Sequence, residues 1–98
     1  MPILGVIMNE SALLQAGNRV AGILRENGFV ADAEALESAL AVTGEVELQI
    51  QAAEHIKNMC HIKWLGDTNI KTHTWPAWLK ELNRLHKAAN KTIKKLRG

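Results

Sequence analysis

Cysteine, proline, phenylalanine and tyrosine are scarce or missing in this chain. Its 98 residues include one cysteine, two prolines, one phenylalanine and no tyrosine. The single cysteine, Cys60, excludes an internal disulfide framework and a cysteine-built zinc finger, and it suits a reducing compartment. Long apolar runs are missing too. The opening MPILGVIM falls well short of the roughly 20 apolar residues that a membrane span needs. It lacks the basic stretch and the small-residue cleavage site of a secretory signal. A short strand or tucked apolar arm over 1–8 is expected, in a cytoplasmic chain without membrane association.

Catalytic signatures are also missing. There is no glycine-rich phosphate loop, no nucleophile elbow, no dinucleotide fingerprint, no CxxC and no HExxH. His55, Cys60 and His61 lie close in sequence, with His73 and His86 further on. On a helix, however, His55 and Cys60 project about 140° apart, and Cys60 and His61 about 100° apart. Two metal ligands on one face need i, i+3 or i, i+4 spacing. Neither a metal nor a cofactor is expected. Cys60 has no helix start or same-face histidine to activate it, and the carboxylates are scattered rather than paired. No enzymatic activity is expected.

Apolar residues at 47% and charged residues at 22% describe one small globular domain. Charge is divided along it. Residues 1–50 carry Arg19 and Arg25 against seven acids, a net −5; residues 51–98 carry ten bases against Glu54, Asp67 and Glu81, a net +7. Such a split calls for a polyanion or acidic partner, or for neutralisation by the acidic half of the same chain or of a second copy, a possible homo-oligomer.

The fold class expected is all-α, a small bundle of about four helices with a long central helix and a long basic C-terminal one. An acidic helical hairpin is expected over 11–42. Ser11 would cap its first helix, which carries the apolar stripe of Leu13, Leu14, Val20, Ala21, Ile23 and Leu24 and ends at Gly28. The small residues Ala16, Gly17 and Ala21 would let a neighbour approach closely. Asp32 would cap the second helix, ending near Val42. A helix-turn-helix is not expected, because Asp32, Glu34 and Glu37 would face phosphates. Over 45–51 two periodicities compete. Val46, Leu48 and Ile50 alternate as in a strand, but the uninterrupted run to Gly66 favours one central helix over 45–65, apolar round most of its circumference and the most buried of the four.

The last helix, 75–97, follows the polar loop DTNIKTHT and opens on Trp75 and Pro76. Trp75, Trp78, Leu82, Leu85, Ala89, Ile93 and Leu96 line one side. Lys80, Arg84, Lys87, Lys91, Lys94 and Lys95 line the other, over about 22 Å. Glu81 is the only acid from 76 to 98, so the Glu–Lys pairs of an ordinary exposed helix are missing. Trp64, Trp75 and Trp78 are either core pieces clamping this helix or, in the case of Trp75 above all, an exposed anchor rimmed by Lys71, Thr72 and His73.

These features point to a small interaction module, an inhibitor or accessory modulator of the kind phages and mobile elements encode. It would act on a larger protein complex, a nucleic-acid-processing one among the candidates. Its expected partner-binding residues are Trp75, Trp78, Lys80, Arg84, Lys87, Lys91, Lys94 and Lys95. The alternative is a non-specific nucleic-acid-binding protein using the same basic helix.

Overall fold

A left-handed glycine sets the first corner of the molecule. Gly28 has φ +86°. Around it Phe29 N donates to Leu24 O at 2.8 Å and Gly28 N to Arg25 O at 3.1 Å, the paired bonds of a Schellman stop. The computed structural model describes residues 3–42, 44–61 and 63–98, with side chains from residue 12 onward. It contains α1 (Ile3–Glu26), α2 (Val30–Leu40), α3 (Val46–Met59), a 3-10 turn (Leu65–Asp67) and α4 (Trp75–Arg97), with no strand among the described residues. The all-α class and the long basic last helix are as the sequence indicates.

The helix boundaries differ from expectation. α1 begins at Ile3, so residues 3–8 are helical rather than an arm, and Ser11 lies inside the helix. Leu, Ile, Met and Glu sustain helix through this stretch, and a serine caps only where the preceding residues leave it. Met1, Pro2, Thr43 and Ile62 lie outside the described residues, as do the side chains of residues 3–11. α2 starts at Val30 rather than Asp32, because the turn at Gly28 is tight enough for Phe29 O to accept from Ala33 N at 3.0 Å. Asp32 then sits in the first turn, where the helix dipole favours its charge.

The larger correction concerns α3. Residues 46–51 are helical and the strand alternative falls, but the helix stops at Met59 instead of running to Leu65. His61 O accepts from Trp64 N and Gly66 N at 2.9 and 3.2 Å, turning the chain back on itself. That reversal puts Leu65 in the core at 0% exposure and aims its carbonyl at the Trp78 indole N–H, 2.7 Å away. A continued helix would lose both. Nor is α3 the most buried element. It buries Ala53, Ile56 and Met59, whereas α4 buries Trp78, Glu81, Leu82, Leu85, Ala89 and Ile93. Apolar residues spread round a helix cannot all be covered by two neighbours, and Val46 and Leu48 are left half exposed.

Packing is cyclic. α1 lies against α2 and α4, and α3 against α2 and α4, so α2 and α4 occupy opposite corners. Val20 and Leu24 of α1, Ala33 and Leu36 of α2, Ile56 and Met59 of α3, and Leu82 and Leu85 of α4 meet in the centre. α1 and α2 approach closely at Gly17, where an added Cβ would fall 2.5 Å from Leu40 Cδ1. The diagonal has an electrostatic consequence. α2 carries Asp32, Glu34 and Glu37 with no base, and the helix farthest from it carries seven bases.

Candidate interaction surface

The orientation of α4 is fixed at its start. Thr74 Oγ1 accepts from Ala77 N at 3.3 Å, an N-cap, and Pro76 occupies the first turn, where a missing N–H costs nothing. Trp78 then points inward, 1% exposed, holding Leu65 O. Trp75 is 56% exposed and ties its indole N–H to Gly66 O at 3.2 Å. The two indoles thus clasp consecutive carbonyls of the 3-10 turn. Trp64 stands apart, exposed on the surface and edge-on to the His55 ring with centroids 5.6 Å apart. Of the three tryptophans only Trp78 is a core piece, which removes it from any partner-binding surface.

With Trp78 inward, Lys80, Arg84, Lys87, Lys91, Lys94 and Lys95 are all exposed. Among the described residues, Lys80, Lys87, Lys91 and Lys94 make no ion pair. Two acids of the neighbouring helices are engaged elsewhere. Glu37 of α2 is bound by Arg25 of α1, whose hydrogen bond holds the Glu37 carboxyl below its ordinary range; the Arg25 pKa is raised by the same bond. Glu54 of α3 takes Arg97 at 2.5 Å. Among the described residues, no acid of residues 1–50 pairs with a base of α4, and the one acid of α3 that does, Glu54, reaches Arg97 and not these four lysines. Trp75 does not share their face: it lies about 140° round the helix from Lys80. The structure brings the lysines and Arg84 together and leaves Trp75 on another side.

Glu81 is the residue whose role the sequence hid. It reads as the one acid diluting the basic stripe, but its side chain is only 8% exposed, bound by Arg19 of α1 on one carboxylate oxygen and lying 3.6 Å from Arg84 on the other. Both arginines remain more than half exposed. They flank a groove of about 510 Å³ between α1 and α4, floored by Ala12, Ala16 and Ala88 and walled by Gln15. The only sign of this in the sequence is Arg19, one of two bases in the acidic half, opposite the apolar stripe of α1.

Asn27 was also missed. Its Oδ1 accepts from Lys71 N at 2.7 Å and Thr72 N at 3.3 Å, and its Nδ2 donates to Thr72 Oγ1 at 2.9 Å and Ile23 O at 2.8 Å. One side chain at the end of α1 thus staples the loop that leads into α4. Thr72 Oγ1 in turn lies 3.0 Å from His73 Nδ1.

Among the described residues no group of three His, Cys, Asp or Glu side chains is placed to hold a metal ion, and no buried side-chain nitrogen or oxygen lacks a partner. Cys60 caps the end of α3, and burial pushes its thiol from 9.0 up to about 12, the reverse of activation. Among the described residues, no helix is long and apolar enough to cross a membrane. In comparisons with known proteins, no family model, curated protein or solved structure matches this chain.

Proposed function

We propose that this chain is a non-enzymatic interaction module, an accessory factor or inhibitor that works in the cytoplasm. In this reading it docks on an anionic surface of a larger assembly through the outward face of α4. The observation that supports it is the ladder of Lys80, Lys87, Lys91 and Lys94, exposed along one side of a helix clamped at its start, with no acid of the described residues paired to it. Lys87, Lys91 and Lys94 follow one another at i, i+4 and i+7 and repel as helical neighbours, with Lys80 two turns before them. An arrangement that tolerates this repulsion without Glu–Lys pairs suits a surface that is neutralised from outside.

The test is capture from a native host lysate with wild-type protein and with the Lys80→Glu/Lys87→Glu/Lys91→Glu/Lys94→Glu variant, after matching their folds by circular dichroism. Loss of the captured material from the variant supports the reading. Identical capture by both forms overturns it.

A further inference from the structure

Resting on that reading of α4, we infer that its partner is the phosphate backbone of a nucleic-acid duplex, with the Arg19–Arg84 groove as part of the same site. Three observations select this partner over an acidic protein surface or a single strand.

The first is composition. The outward face of α4 offers Lys80, Asn83, Arg84, Lys87, Lys91 and Lys94, all exposed, and no aromatic or large aliphatic side chain. Protein interfaces are depleted in lysine at their centres and draw their energy from buried aromatic anchors. The exposed rings, Trp64 and Trp75, lie outside this face. Single-strand binders stack bases on aromatic side chains, and this face supplies none.

The second is dimension. From Lys80 to Lys94 the cations span about 21 Å of straight helix. A duplex strand places one phosphate per about 3.4 Å of axis, so the ladder faces about six phosphates of one strand. The amides that might read bases are few. Asn90 is engaged by Lys57 at 3.2 Å, and Asn83 stands alone at the edge. The contact is therefore to phosphates and not to sequence.

The third is the treatment of Glu81. Withdrawn between two guanidiniums, the one acid of α4 is shielded from an approaching phosphate. Its partners Arg19 and Arg84 keep exposed edges on a groove whose alanine floor lets a backbone come close. Arg84 belongs both to that groove and to the lysine ladder, so the basic surface continues from α4 onto α1. Arginine is suited to this position because its planar fork matches phosphate oxygens.

The experiment is fluorescence anisotropy with a labelled 20-base-pair DNA duplex, the corresponding single strand and polyglutamate, across a salt series. Neutralisation by Lys80, Lys87, Lys91, Lys94 and the one net charge of the Arg19–Glu81–Arg84 group predicts a log–log slope of about −4.5, which is a fall of roughly 500-fold in affinity between 50 and 200 mM salt. The duplex should bind more tightly than the single strand, and polyglutamate should not bind comparably. Lys87→Glu/Lys91→Glu should flatten the slope by about two. Gln15→Glu, which puts a carboxylate on the groove wall one turn before Arg19 and competes with Glu81 for it, should weaken duplex binding several-fold. Trp75→Ala should leave it unchanged. No duplex binding at 50 mM salt, a preference for the single strand, or equal binding of polyglutamate overturns the inference, and wild-type behaviour of Gln15→Glu removes the groove from it. If the duplex fails to bind while charge reversal still strips the captured material in the lysate experiment, the docking face stands and only its nucleic-acid assignment falls.

Discussion

Two charge reversals one turn apart on α4, Arg84→Glu and Lys87→Glu, should have unequal consequences for stability. By sequence they are equivalent members of one stripe. In the structure Lys87 has no ion-pair partner among the described residues, whereas Arg84 lies 3.6 Å from a carboxylate that is only 8% exposed. Reversing Lys87 alters a solvated charge, typically within about ±0.5 kcal/mol. Reversing Arg84 removes one of the two cations holding Glu81 and puts a second carboxylate one turn away. At about 6 Å and an effective dielectric of about 20, that repulsion is roughly 3 kcal/mol. The new side chain is exposed and can swing outward, which reduces the net cost to about 1–2 kcal/mol. For a domain of this size, that lowers the thermal midpoint by roughly 5–15 °C. Urea denaturation followed by circular dichroism at low salt reads both variants, and 0.5 M salt should narrow the gap between them. If Arg84→Glu proves as silent as Lys87→Glu, Glu81 is not held between α1 and α4 as described, and the shielding of its charge loses its basis.

Trp78→Phe removes the indole donor from a buried carbonyl as well as ring volume, and should cost about 2–4 kcal/mol in urea denaturation; Trp75→Ala should cost less, since that ring is half in solvent, and a reversed order would show that the two indoles have been misassigned. Native Cys60 should react with iodoacetamide about a thousandfold more slowly than in the unfolded chain, because a thiol raised from 9.0 to about 12 holds that much less thiolate. Since its folded pKa is raised, the contribution of the neutral thiol to stability is present below about pH 9 and is lost as pH climbs from there towards 12, which denaturation midpoints at pH 8 and pH 10.5 would register. Asn27→Ala should speed hydrogen exchange at the Lys71 and Thr72 amides while costing about 1–2 kcal/mol overall, since the freed loop groups can bond to water; unchanged exchange would deny the staple.

The fold class was legible because α1 and α4 each carry one apolar stripe at helical period, and a stripe survives any detail of the turns. α3 was harder to read for the opposite reason. With apolar residues on most of its circumference, its sequence fixes neither which arc is covered nor where the helix ends. The stop at Met59 is dictated by events elsewhere: Leu65 gains full burial and Trp78 gains an acceptor only if the chain reverses at His61. That is a tertiary gain exceeding a local preference, and no window of residues 45–65 contains it. The starts of α1 and α2 failed more simply. Ser11 and Asp32 are good caps, but a cap acts only where the backbone has left the helix, and neither position has done so.

The candidate surface divides along the same line. The lysines were visible in sequence because exposure on α4 follows from period alone once Trp78, Leu82, Leu85 and Ala89 are turned inward. What period cannot show is the pairing of charges across helices. Glu81 projects about 100° from Lys80 and about 60° from Arg84 on the helical wheel, close enough to pass for a surface residue diluting the stripe. Only the approach of α1 decides otherwise, by bringing Arg19 onto one of its oxygens and turning an apparent defect in the basic face into a buried tie between helices. Placement and pairing of the remaining acids leave the ladder alone. Arg25 engages Glu37 within the hairpin, Arg97 takes Glu54, and α2, with the rest of its negative charge, is held at the opposite corner of the bundle. The net charge of +2 is therefore a sum over two separated faces, and any partner that meets α4 meets a far more positive surface than the whole chain presents.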